Sequence, residues 1–152
     1  MIKKISLVFF ICLGLSLFGQ SQKQVLPLAK YGDNLSAPLS SKERAFIDEV
    51  YGDYADKLIY NNSQRLLLFK DILRNRVVIK RYDAKDLSSL NLLSRVDMVK
   101  SKSINSNLQR DYSFDPDNFN PLKYEFGFFS KQRYTYYRVD NTQYLITILP
   151  QY

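Results

Sequence analysis

Hydrophobic and polar positions change period partway along this chain, and the change divides it. From Ser40 onward, Phe46, Val50, Tyr54 and Leu58 recur every fourth residue, with Ile47, Tyr51 and Ile59 widening the stripe. Asp48, Glu49, Asp53, Asp56 and Lys57 fill the opposite face, the pattern of an amphipathic helix. Ser40 with Glu43 three residues later, just past Pro38, is a capping box. Gly52 inside the run costs about 1 kcal/mol against alanine and marks a bend or a close contact. Asn61-Asn62-Ser63 then supplies a break and a second cap. A second helix is predicted over residues 64–75, carrying Leu66, Leu67, Phe69, Ile72 and Leu73. So short a connection makes the pair a hairpin or an elbow.

Beyond residue 76 the spacing becomes that of strands. Residues 77–82 form a short β-branched run ending at Asp83. Asp86 caps a short helix carrying Leu87, Leu90 and Leu93, or Leu90 and Leu92 alternate in a strand; both readings stand. Residues 96–99 can pair as a further strand. Residues 100–121 are polar and irregular, with turns at Asp115-Pro116-Asp117-Asn118 and Asn120-Pro121. Residues 123–129, 132–139 and 142–149 read as three strands joined at Ser130-Lys131 and Asp140-Asn141, both short enough for hairpins. The expected fold class is therefore α+β: two N-terminal helices packed on a small, mainly antiparallel sheet of three to five strands.

The first residues have a different character. Lys3 and Lys4 precede an apolar stretch from residue 5 to residue 18, and Gly19 and Ser21 give a small-x-small cleavage pattern. About 14 residues is short of the roughly 20 that a spanning helix needs. Residues 1–21 are thus expected to be a cleaved secretory signal peptide and residues 22–39 an extended arm, with one α+β domain over 40–152. Cys12 lies inside the apolar run behind Phe10 and Ile11, where a lipid-modification site wants small residues.

Composition then narrows the chemistry. The 152 residues hold no histidine, no tryptophan and one cysteine, Cys12. A Ser-His or Cys-His nucleophile and a zinc ion held by imidazole or thiolate are excluded from the mature chain. Its three glycines, Gly32, Gly52 and Gly127, make no phosphate loop, and no carboxylate pair stands in an evident cleft signature for glycoside cleavage. The chain is expected to be non-enzymatic and to carry no cofactor or metal. Asp111, Asp115, Asp117 and Asn118 alternate oxygens as a calcium loop does. Yet they lack the glycine and the closing bidentate glutamate, and read more simply as a turn. Without cysteines to pair in an oxidising compartment, stability falls to packing alone.

Two constellations are candidate binding features. Formal net charge is +7, from 22 Lys and Arg against 15 Asp and Glu; loss of residues 1–21 removes Lys3 and Lys4 and leaves +5. Arg65, Lys70, Arg74, Arg76, Lys80, Arg81 and Lys85 against Asp71 and Asp83 carry a charge equal to that whole excess. This window is either a site for an anionic polymer or headgroup, with arginine forks on phosphate, sulfate or carboxylate, or a solvated helix face running into a charge-guarded edge strand. In the strand around residue 135, alternation puts Tyr134, Tyr136 and Arg138 on one face and Arg133, Thr135 and Tyr137 on the other. Tyrosine beside arginine on a sheet can anchor a protein hot spot or stack a sugar; the competing reading is cross-strand pairing and core filling.

The signal, the capped helical first half and the aromatic strands closing on Tyr144-Leu145-Ile146-Thr147-Ile148-Leu149-Pro150 resemble small secreted proteins of unknown role from flavobacteria. That resemblance implies the periplasm or secretion and transfers no activity. The expected role is an envelope interaction protein docking to a protein partner through the aromatic sheet face or an edge strand. The alternative is a binder of anionic envelope polymer or headgroups through residues 65–85. Peripheral membrane contact fits either role, and nucleic acid is not an expected partner in that compartment.

Overall fold

A computed structural model describes residues 33–82, 89–99, 105–131 and 133–151. The expected signal peptide, residues 22–32 of the arm, Lys85 and the cap at Asp86 lie outside the described residues. The molecule is α+β: helices pack on one face of a four-stranded mixed sheet.

Helix α1 spans Ser41–Tyr51 and opens on the expected box. The Ser40 hydroxyl accepts from the Glu43 amide at 3.2 Å, and Glu43 Oε2 accepts from the Ser40 amide at 2.7 Å. The α-helix is shorter than its hydrophobic stripe. Gly52 adopts φ +50° and ψ −133°, a conformation that side chains with a Cβ resist. The chain passes into a 3-10 turn at Gly52–Tyr54 and a π-helical turn at Asp56–Tyr60. The four-residue register is lost there: Tyr54, predicted to be internal, is half exposed, while Ala55 and Ile59 are buried.

Helix α2, Ser63–Asp71, is capped by the Asn62 side chain on the Arg65 amide and ends in a π-helical turn at Ile72–Arg76. The two helices meet where Tyr51 and Phe69 pack edge to face at 5.5 Å.

Among the described residues four strands follow: β1 (Val77–Arg81), β2 (Asn91–Leu92), β3 (Thr135–Arg138) and β4 (Tyr144–Ile148). Their spatial order is β1-β4-β3-β2. β4 pairs antiparallel with both β1 and β3, and β2 pairs parallel with β3. Ile79, Ile146 and Tyr137 form one cross-strand row on the face toward the helices. Ile146 and Ile148 join Ile47, Val50, Ile59 and Ile72 in the core beneath it.

Two strand expectations change. Residues 123–129 form no strand of the sheet. Pro121 begins a 3-10 turn, Tyr124 makes a single antiparallel bridge to Met98, and the Phe126 amide turns back on the Tyr124 carbonyl at 2.9 Å. Gly127 then takes φ +66°. The alternation there is still real, because Tyr124, Phe126 and Phe128 are all buried. It packs an extended segment against the sheet, with Phe126 at 4.9 Å from Tyr137. Residues 96–99 supply the other half of that bridge, through Val99 N to Lys123 O at 2.9 Å and Glu125 N to Asp97 O at 2.8 Å. The β3–β4 connection is also longer than the two residues expected. The Val139 amide donates to Tyr144 O, enclosing residues 140–143, with Asn141 at φ +55°.

A polar knot ties α1 to the extended segment. Lys123, only 3% exposed, bonds Glu49 Oε1 at 2.9 Å and Asp111 Oδ1 at 2.6 Å. Asn120 Nδ2 donates to Phe46 O and Glu49 Oε2, each at 2.9 Å. Burial works to lower the Lys123 pKa, but the Asp111 and Glu49 bonds outweigh it and hold the ammonium above its usual value. A buried charge of this kind survives only when paired.

Candidate functional site

The basic window splits in the fold, and one of its residues joins the aromatic strand. In the basic window, three cations turn inward. Arg76 is fully buried and donates Nε to Leu149 O at 3.2 Å and Nη2 to Phe128 O. Arg74 holds Glu43 through both carboxylate oxygens and reaches the carbonyls of Asn34, Ala37 and Pro38. Lys70, 8% exposed, donates to Leu35 O at 3.1 Å. Arg65, Lys80 and Arg81 stay at the surface: Arg65 reaches Leu58 O at 3.3 Å, and Arg81 bonds Gln143 Oε1 at 2.8 Å. Lys70, Arg74 and Arg76 therefore spend donors on main-chain carbonyls that an anionic ligand would need. The chain at 34–38, part of the expected arm, is held to the domain by these contacts.

Sequence alternation placed the aromatic strand as the structure has it. Tyr137 enters the core, so Tyr136 and Arg138 stand on the opposite face of the sheet with Val78, Lys80, Leu145 and Thr147. Tyr134, just before β3, stacks on Tyr136 with centroids 6.5 Å apart and planes 14° from parallel. Lys80, Leu145 and Arg138 form one row across β1, β4 and β3. Leu145 is buried yet lies outside the main core cluster. The outer face thus brings together Lys80 from the basic window and Tyr134, Tyr136 and Arg138 from the aromatic strand. Arg81 falls at the strand end on the other parity.

Electrostatically this face is one-sided. β1, β3 and β4 place Lys80 and Arg138 on it and contain no carboxylate; Arg81 has the other parity. Arg138 Nε is buried and meets no acceptor among the described residues. Burial raises the Tyr136 pKa, with neighbouring Tyr134 and Tyr82 adding to it, so the Tyr136 phenol is a neutral donor at physiological pH.

The acidic turn at 111–118 divides in the structure. Asp115 closes a turn by accepting from the Asp117 amide at 3.0 Å and Asn118 Nδ2 at 2.6 Å, whereas Asp111 belongs to the Lys123 knot. No cluster of three or more acidic or metal-ligating side chains is found among the described residues, and no described helix is long and apolar enough to cross a membrane. Comparison with protein-family models, curated proteins and solved structures finds no match for this chain.

Proposed function

We propose that the protein is an exported, non-enzymatic binding protein of the bacterial envelope that docks a protein partner on the outer face of its sheet. The observation that carries this reading is the stacked Tyr134–Tyr136 pair beside Arg138 and Lys80, on the face opposite the helices. Rigid tyrosines offer large contact area at low entropy cost, and tyrosine and arginine dominate interface hot spots. With Lys80 and Arg138 on it and no carboxylate in β1, β3 or β4, the face is complementary to an acidic partner surface. The N-terminal leader pattern supports export, and the lack of histidine and of any cysteine beyond Cys12 supports a role without nucleophilic chemistry.

The test is capture from an envelope fraction with the wild-type protein, Tyr136→Ala, Arg138→Glu and Arg65→Glu as baits, across a salt series. Docking predicts one partner retained at moderate salt, lost with Tyr136→Ala and Arg138→Glu, and kept with Arg65→Glu. Capture that ignores both sheet substitutions overturns the reading. Binding that disappears steeply with salt and with Arg65→Glu assigns the ligand to an anionic polymer on the 65–85 window instead.

A further inference from the structure

A cleft of about 250 Å³ opens between the 3-10 turn at Leu93–Arg95, residues 110–119 and the β3–β4 connection. Its wall is aromatic. Phe114 is half-buried and packs 5.2 Å from Phe119, which stacks on Tyr124 at 5.2 Å; Tyr112, also lining the cleft, is fully exposed.

The polar groups of the cleft are fixed by bonds within the chain. Asp140 accepts from the Ser94 amide at 3.0 Å and the Ser94 hydroxyl at 2.6 Å. Asp111 is held by Lys123 and by the Tyr124 hydroxyl at 3.3 Å. Arg110 donates to Leu93 O at 2.9 Å and Val96 O at 2.6 Å, with its guanidinium 5.1 Å from the Tyr124 ring. Each keeps capacity in hand: a carboxylate has about four acceptor sites and a guanidinium five donors.

Charge decides what fits. Arg110, the buried Lys123 and Arg138, whose charge acts on Asp140, offset Asp111, Asp140 and the Glu49 that shares Lys123, so the site offers donors and acceptors without net charge. An organic cation would find Arg110 already over the Tyr124 ring, and an anion would face Asp111 and Asp140. A neutral ring with many hydroxyls and a flat C–H face meets every group present. We infer that this cleft binds a single neutral sugar ring, its C–H face on Phe114 and Tyr112 and its hydroxyls on Asp140, Asp111 and Arg110. Small-molecule sites of this kind are concave, largely apolar and carry a few convergent polar groups. The site shares no residue with the outer sheet face, so either proposal can fail alone.

The experiment is saturation-transfer NMR on the purified protein with glucose, galactose, mannose and N-acetylglucosamine, and with tetramethylammonium and acetate as charged probes. At least one sugar is expected to bind saturably with a Kd of about 1–10 mM, the range for one small ring. Tyr112→Ala, on a fully exposed side chain, is expected to weaken it about fivefold, and Tyr136→Ala to leave it unchanged. Asp140→Asn, with folding checked by circular dichroism, is expected to weaken it about tenfold. Absence of saturable transfer to all four sugars overturns the inference. So does sugar binding indifferent to both Tyr112→Ala and Asp140→Asn, or tighter binding of tetramethylammonium or acetate than of every sugar.

Discussion

Arg74 clasps Glu43 in parallel, Nε to Oε1 at 2.6 Å and Nη2 to Oε2 at 2.8 Å. The same carboxylate closes the capping box of α1. One acid therefore serves a helix start and the end of the following helix, 31 residues away in sequence, through a planar fork that lysine does not possess.

That double use sets the acid stability. The Arg74 bond, followed by the Ser40 amide, holds Glu43 at a pKa of about 2, below its ordinary 4.5. A carboxylate depressed in the folded state stabilises above its unfolded pKa and loses that stabilisation as pH falls through the folded one. Resistance to urea should thus fall from about pH 5 toward pH 2, and Arg74→Ala should lower stability by about 2 kcal/mol at pH 7 while flattening the acid limb.

Between pH 5 and 8 the opposite is expected. With no histidine in the chain, no side chain has an ordinary pKa in that interval. Tyr51, Tyr60, Tyr124 and Tyr137 are all shifted upward, burial being the first cause for each. Denaturant midpoints measured across this range should coincide; a sigmoidal step would contradict the assignment.

Arg76→Met tests the buried junction between β1 and the segment after β4. Removing the guanidinium strips donors from Leu149 O and Phe128 O and leaves buried carbonyls to be desolvated unpaired. A loss of about 3–5 kcal/mol is expected, read as a large drop in the urea midpoint. Arg65→Met, at an exposed position of the same charge window, should stay within about 0.5 kcal/mol.

Gly52→Ala separates backbone strain from packing. A Cβ built at Gly52 meets nothing within 4 Å, so no clash opposes it. The positive φ alone should cost about 1–2 kcal/mol, and a neutral or stabilising result in equilibrium unfolding would show that the turn relaxes.

What the sequence discloses about this fold follows from how local each feature is. The capping box at Ser40 and Glu43, the break at Gly52, the cap at Asn62 and the faces of Tyr136 and Tyr137 depend on neighbours a few residues away, and period and cap chemistry reveal them. The inward turn of Lys70, Arg74 and Arg76 depends on carbonyls at 34–38, 128 and 149, which no local pattern records; charge by itself reads as surface. The parallel pairing of β2 with β3 is equally remote. Residues 123–129 alternate as a strand does, but the backbone bond from Phe126 to Tyr124 consumes the amide that a ladder needs. Of the cleft's polar side chains, only Asp111 is a candidate ligand in the sequence, as part of a calcium pattern; Asp140 reads there only as a turn residue. Arg110, Phe114, Tyr124 and Asp140 converge from segments with no shared spacing.

The central position of β4 fixes an order of events as the chain is made. Among the described residues β1 has no sheet neighbour except β4, so its amides and carbonyls wait for some sixty further residues to be synthesised before residues 144–148 arrive to receive them. Until then the helices can collapse on their own apolar sides, but no closed sheet exists beneath them. The nascent polypeptide accordingly remains pliable through most of its synthesis and locks late.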